Sequence, residues 1–521
     1  MNKRNIRNMW TADQGDGTYR NPVLYTDYSD PDVIRVGDDY FMVASSFCNS
    51  PAVPVLHSKD LVNWKLINYV MEKLPFARYD RPVYGCGAWA PSIRYHNHVF
   101  YVFVPFPDEG IMMCCTEDPW KEWSKPAFVK RAIGWIDPCP FWDEDGKAYM
   151  VNAFAKSRIG FKSMLYISEM DPMCGEILED GKFVYDGHET QPTIEGPKLY
   201  KRNGWYYIFA PAGGVSTGWQ TVLRSRNIYG PYEERIVLHQ GGSSVNGPHQ
   251  GGWVETQTGE SWFLHFQDVG NAGRVIHLQP MHWEDDWPVI GEDREHKGCG
   301  TPVMQWKKPD VGAEYPICSP SESDFFDGGC LGMQWQWNAN VQKKWYEMSR
   351  RGLKLFAQKK ESGQVLCDMP NLLFQKWPAP EFQITVCLYL KEMQEDDVCG
   401  LISFGGKYAA LCVIRKKEKF VLQLREGDCE KREETGKEIP IISEIRDKVY
   451  FRMRVEKEKQ ISFFVSADNE NFLPAGVRME AVPGKWTGAK AGLFAVNESE
   501  FDENGTGCVE ALYFVFEPLG Q

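Results

Sequence analysis

The chain lacks any apolar run long enough to cross a bilayer. Its opening text, Met1 to Trp10 (Met-Asn-Lys-Arg-Asn-Ile-Arg-Asn-Met-Trp), has no apolar centre of the kind a secretory signal needs. No long amphipathic helical pattern stands out. Zinc spacings such as Cys-x-x-Cys are missing as well, although there are 15 cysteines. These are scattered, and several sit in apolar runs, as in Val386-Cys387-Leu388 and Leu411-Cys412-Val413. The expectation is a cytoplasmic protein whose thiols are reduced and mostly structural. Positive charge is in deficit: 58 Lys and Arg stand against 71 Asp and Glu, a net charge of −13. Phosphate backbones and anionic membranes require a basic face, so neither nucleic acid nor membrane is expected as a partner. A neutral substrate fits. Oligomeric state leaves no mark in the sequence.

Aromatic residues are plentiful, at 14% of the chain with 19 Trp, alongside 47 Gly and 32 Pro. That mixture suits all-β structure, and it also suits surfaces on which sugar rings stack. At 521 residues the chain exceeds what one core serves, so two domains are expected.

One stretch sets the pattern. Ile194-Glu195-Gly196-Pro197 is followed by Leu199-Tyr200-Lys201-Arg202, then Asn203-Gly204, then the aromatic run Trp205-Tyr206-Tyr207-Ile208-Phe209. Asn-Gly between two β-prone runs predicts a hairpin, because both central turn residues need positive φ. The layout recurs: Asp30-Pro31-Asp32 precedes Val36 to Phe41, and Trp89-Ala90-Pro91 precedes His96 to Tyr101. Asp137-Pro138 precedes Glu144 to Tyr149, and Pro248-His249 precedes Gln257 to Trp262. Five copies at a period of about 50–60 residues, four strands' worth, predict a five-bladed β-propeller. Asp30, Asp137, Glu195 and His249 would then converge on one axis. A second repeat, in which His57 to Trp64 resembles Cys115 to Trp123 and, more loosely, Ser225 to Tyr232, reads as a turn towards the outer strand of a blade.

Residues 1–18 read as an N-terminal arm, 19–306 as the propeller and 307–322 as a Pro- and Gly-containing linker. From 323 to 521 the text changes to short strand-like runs: 382–390, 408–413, 420–424, 449–455, 461–465, 491–496 and 512–516. Such spacing predicts a β-sandwich. Trp335 and Trp337 lie two apart and would share a strand face, as a carbohydrate platform needs, but core or interdomain packing is the expectation for them.

Two carboxylates flanking a pocket can break a glycosidic bond, one protonating the leaving oxygen and the other activating water or attacking. Asp30 and Glu195 suit this pair, with Asp137 as a third carboxylate that would raise the proton affinity of Glu195. Asp-Pro is also a common turn dipeptide, and placement at equivalent points of a repeat is what lifts these residues above that reading. Trp89 and Phe47 are candidates for sugar contact.

These stretches resemble glycoside hydrolase family 43. The resemblance rests, in order, on Asn21-Pro22-Val23-Leu24, Asp30 to Phe41, His57-Ser58-Lys59-Asp60-Leu61, Trp89-Ala90-Pro91-Ser92-Ile93, Ile136-Asp137-Pro138 and Glu195 to Tyr200. Leu331 to Asn338 and Gly492 to Asn497 resemble the sandwich attached to its β-xylosidase and α-L-arabinofuranosidase branch, which implies a concanavalin-like fold. The resemblance implies an inverting exo-hydrolase that releases terminal pentoses from xylan-derived oligosaccharides. It implies Asp30 as general base, Glu195 as general acid and Asp137 as the residue that orients and tunes the acid. Arg274 is implied as a ligand of sugar hydroxyls beside the base; taken alone it would read as a surface ion pair. His249 is implied to face an axial metal, usually calcium and largely water-held, although Gln250-Gly251 after it departs from the commoner text. A fructosidase of the sister five-bladed clan is the nearest rival, but Ser29-Asp30-Pro31, Ile136-Asp137-Pro138 and Glu195-Gly196 differ from its motifs. A non-catalytic carbohydrate-binding propeller is the other, and the presence of all three carboxylates speaks against it.

Overall fold

The computed structural model describes residues 8–173, 176–417, 419–440, 445–456, 459–476, 478–500 and 507–519. The first seven residues of the expected arm therefore lie outside the described residues. The architecture is all-β: five four-stranded antiparallel sheets are followed by two eight-stranded sheets. Among the described residues no helix is long and apolar enough to cross a membrane.

Blade 1 runs Asp32–Val36, Asp39–Val43, Ala52–Ser58 and Trp64–Met71. Blade 2 runs Ser92–His96, Val99–Phe106, Gly110–Thr116 and Ala127–Lys130, and blade 3 Trp135–Trp142, Ala148–Phe154, Met164–Met170 and Lys182–Asp186. Blade 4 runs Lys198–Arg202, Trp205–Ala212, Trp219–Ser225 and Glu233–His239, and blade 5 His249–Glu255, Ser261–Asp268, Arg274–Glu284 and Trp287–Ile290. The five aromatic runs seen in the sequence are the second strands. Asn203 and Gly204 have φ of 51° and 70°, the pair of positive values that the tight hairpin between Arg202 and Trp205 requires. In the second repeat, Asp60 Oδ1 accepts from Val62 N and Asn63 N, closing the turn before the outer strand of blade 1.

The propeller has no single core. Five apolar layers fill the five gaps between neighbouring blades. Nearer the axis, polar contacts step round the ring. Asp32 of blade 1 accepts from Ile93 N and Arg94 Nη1 of blade 2. Arg94 donates to Cys139 Sγ of blade 3, which accepts in turn from Leu199 N of blade 4. Trp253 N of blade 5 donates to Tyr200 Oη, and Arg35 closes the circle by donating to Glu255 O. The N-terminal segment seals blade 5 to blade 1 as Leu24 bridges Ile276, and Thr18–Arg20 pairs with Gln305–Lys307.

In the sandwich, one sheet orders its main strands as Gln336–Trp337, Leu373–Lys376, Lys490–Asn497, Asp397–Phe404, Lys407–Lys416, Lys419–Asp428 and Glu433–Ile439. The other centres on Cys508–Glu517, Phe382–Tyr389 and Lys448–Val455. Trp335 and Trp337 are both buried in the layer between the sheets, as core residues. Every described cysteine is a free thiol. The sandwich is pinned to blade 1, where Ser50 Oγ donates to Ala339 O and Asn49 Nδ2 to Trp337 O.

Candidate active site

Near the start of three innermost strands, in blades 1, 3 and 5, the backbone departs from strand geometry. Asp30 has φ 56° and Asp137 φ 54°. Asp137 lies in a bulge where pairing skips from Ile136 to Cys139, and Gln250 lies in another between His249 and Gly251. Left-handed backbone and bulges of this kind gather where a side chain must be re-aimed.

Asp30 is buried and surrounded by donors. Its Oδ2 accepts from Ser29 Oγ at 2.8 Å and Ser45 Oγ at 2.6 Å, and its Oδ1 accepts from Arg274 Nη1 at 2.8 Å. All three contacts are donors, so both carboxyl oxygens of Asp30 serve as acceptors. Arg274 is 8% exposed and also donates to Ser29 Oγ, so it is a buried partner of this cluster and not a surface ion pair.

Glu195 opens blade 4, its own N–H donating to Pro211 O. Burial, and after it the charge of Asp137, pushes its carboxyl up to about 8, while Arg274 pulls the other way. The side chain keeps 27% exposure, the opening through which substrate would reach it, so the effect of burial is full only when that opening is covered. Asp137 is pushed up to about 6, chiefly by burial, against the Gly196 N–H that reaches its Oδ2 at 2.8 Å and against the Lys198 ammonium. Of the two carboxyls Glu195 is raised further above its ordinary value, so it is the better placed to keep a proton.

His249 stands with Nε2 3.5 Å from Glu195 Oε1. Burial, then the nearby Arg274 charge, pushes its imidazole down to about 3, so the contact is not an ion pair. Both ring nitrogens are buried without a hydrogen-bond partner. Among the described residues no group of three or more His, Cys, Asp or Glu is placed to hold a metal. A cation here would take one nitrogen from His249 and its other ligands from water, which an oxygen-seeking ion such as calcium accepts.

Trp89 and Phe47 lie together, ring centroids 6.4 Å apart. Phe47 N and O pair with Ala88, tying the tops of blades 1 and 2. A third ring joins them from the other domain: Trp486 packs edge-on to Trp89 at 4.8 Å and lies 6.5 Å from Phe47. The structure thus brings Asp30, Asp137, Glu195, Arg274 and His249 into one cluster, with Trp89 and Phe47 in an aromatic group completed by the sandwich. Sequence reasoning missed Ser45, Lys198, Gln250 and Trp486. Ser45 lies in the strand-end text Val43-Ala44-Ser45-Ser46, which carries no motif, and only the repeat could have pointed to Lys198 and Gln250. For Trp486, in Gly484-Lys485-Trp486-Thr487-Gly488, no local signal exists.

Residues 19–288 match the family described as glycosyl hydrolases family 43, and residues 323–509 match the beta xylosidase C-terminal Concanavalin A-like domain. A beta-xylosidase of Formosa agariphila is 31% identical over 560 residues, covering 97% of this chain and 91% of that protein. A non-reducing end alpha-L-arabinofuranosidase of Bacteroides ovatus is 27% identical over 409 residues, covering 74% of this chain and 73% of that protein. Among solved structures, a bifunctional GH43-CE protein of Bacteroides eggerthii superposes with a TM-score of 0.81 at 28% identity. The match covers 96% of this chain and 63% of that one.

Proposed function

The chain belongs to glycosyl hydrolase family 43, and from that premise and its axial site we propose that it releases terminal β-D-xylose or α-L-arabinofuranose from xylan-derived oligosaccharides, with inversion. The observation that carries this reading is the division of labour between two carboxylates. Asp30 is met only by donors, and Glu195 holds its proton up to about 8. Glu195 is the general acid, giving its proton to the leaving glycosidic oxygen. Asp30 is the general base, taking a proton from the water that attacks the anomeric carbon. Asp137 keeps the acid protonated through its charge and is anchored by Gly196 N–H. Arg274 holds Asp30 in place and presents its guanidinium to sugar hydroxyls. Trp89 and Phe47, with Trp486 against them, offer apolar faces to the pentose ring.

The two pentoses present similar hydroxyl geometry to one pocket, which supports dual activity, and relatives named for each sugar agree with it. The acidic net charge supports a neutral oligosaccharide as partner, with no nucleic acid or membrane surface involved. A cytoplasmic setting, with short imported substrates, fits the many free thiols. Calcium, held by His249 and water, is part of this reading; when bound it would supply positive charge next to the carboxylates.

Nitrophenyl β-D-xylopyranoside and α-L-arabinofuranoside test the proposal directly. The wild-type chain should hydrolyse at least one of them, and Asp30→Ala, which lacks the base, should do so far more slowly. A purified, folded chain inert to both, and to xylo-oligosaccharides, would overturn it.

A further inference from the structure

Among the contacts between the sandwich and the propeller is one buried carboxylate that the catalytic scheme does not use. Asp27 is 5% exposed and lies three residues before Asp30. Its Oδ1 accepts from the backbone N–H of Arg274 at 2.9 Å. Its Oδ2 accepts from the backbone N–H of Gly488 at 2.9 Å, two residues beyond Trp486. Its own carbonyl oxygen accepts from Lys376 Nζ, also of the sandwich, at 2.6 Å. One side chain thus holds the residue that grips the base and the loop that carries the third aromatic ring.

The surroundings make this knot tight. Gly273 has φ 78°, and a Cβ there would stand 2.5 Å from Asp27 Cγ and 2.6 Å from Gly488 N. A Cβ on Gly488 would meet Ala272 C at 2.7 Å. On either side, Ala489 N donates to Asn271 O and Asn271 Nδ2 to Ala481 O, so the turn at 270–273 and the loop at 481–489 are zipped together. Two glycines are what allow the two backbones to approach closely enough for one carboxylate to bridge them.

We propose that Asp27 is a positioning residue that couples docking of the sandwich loop to the Arg274–Asp30 contact. Asp27 touches no reacting atom. It fixes the backbone from which Arg274 reaches Ser29 and Asp30, and it does so only while Gly488 is in place. The sandwich is then a working part of the propeller's catalytic centre. A displacement of about an ångström at such a residue is costly because the base must stay aligned with its water. This inference rests on the proposed function, since it assigns Arg274 and Asp30 to catalysis.

Asp27→Asn keeps the shape but leaves one acceptor where two are needed, and Gly488→Ala opens the knot from the other side. Each should lower kcat about tenfold, the cost of a lost positioning contact, with a cooperative thermal melt retained. Trp486 should become more accessible to acrylamide quenching in both. The decisive measurement is a double-mutant cycle with Arg274→Lys. If Asp27 acts through Arg274, Asp27→Asn should cost little more once Arg274 is already altered. Losses that multiply in full, a wild-type kcat in either folded variant, or two variants that no longer melt cooperatively would overturn the proposal. An inactive wild-type chain would instead defeat the functional reading itself, so the two failures are distinguishable.

Discussion

Asp30 and Glu195 are both carboxylates in one pocket, and their neighbours decide which of them carries a proton. Three donors converge on Asp30, whereas Glu195 faces burial and the charge of Asp137. Asp30→Ala and Glu195→Ala should each lower turnover by ~10²–10⁴-fold, the usual contribution of a general acid or base. Melting should stay cooperative, and either variant keeping more than half of wild-type turnover would remove that residue from its role. Asp137→Asn tests the tuning. Activity needs protonated Glu195, so it falls as pH rises through about 8. The Asp137 charge raises that value, so its removal should move the alkaline limb of the pH–rate profile to lower pH. An unmoved limb would show that Asp137 does not act on the acid. At His249 the ring is neutral and its nitrogens have no protein partner. Chelation should therefore lower the melting temperature and added calcium should restore it, as for any ligand that binds only the folded state. A melt indifferent to both would leave His249 without a metal role.

At the scale of elements, hairpins and alternating strands were legible because their signals are local. Asn203-Gly204 names its own turn, and Gly204→Ala should cost about 1 kcal/mol in denaturant unfolding, since φ 70° is strained for any residue with a Cβ. A loss near zero would mean that the turn relaxes to another type. The sandwich strand around 449–455 was legible for the same reason, and the one around 382–390, buried on both faces, as an unbroken β-prone run. The strand Asp397–Phe404 is buried on both faces as well, but it was missed. Gly400 interrupts its text, at a point where a Cβ would press on Leu411 O at 2.3 Å. The carboxylates were legible through the repeat, which puts them at equivalent points of their blades. The bulges that aim Asp137 and Gln250 were not, because a register shift of one residue depends on the partner strand. Trp486 and Asp27 depend on two domains meeting, which no local pattern encodes.

The whole molecule sets the stereochemistry. Asp30 stands at the start of blade 1 and Glu195 at the start of blade 4, two steps apart in a ring of five. An apolar layer between every pair of blades and polar contacts stepping round the axis hold the two blades, and so the two carboxylates, at that separation. An inverting hydrolase needs room for a water between base and anomeric carbon, roughly 6.5–9.5 Å between carboxyl groups, against roughly 5–5.5 Å when one attacks directly. Ser29, Ser45 and Arg274 take three of the roughly four lone-pair sites of Asp30, which leaves one to accept the proton of the attacking water. Proton NMR of the first turnovers should show the released sugar with inverted anomeric configuration, before mutarotation mixes the forms. Added alcohols should give little transfer product, because no glycosyl-enzyme ester waits to be intercepted. Retained configuration with steady transglycosylation would mean that Asp30 attacks the sugar.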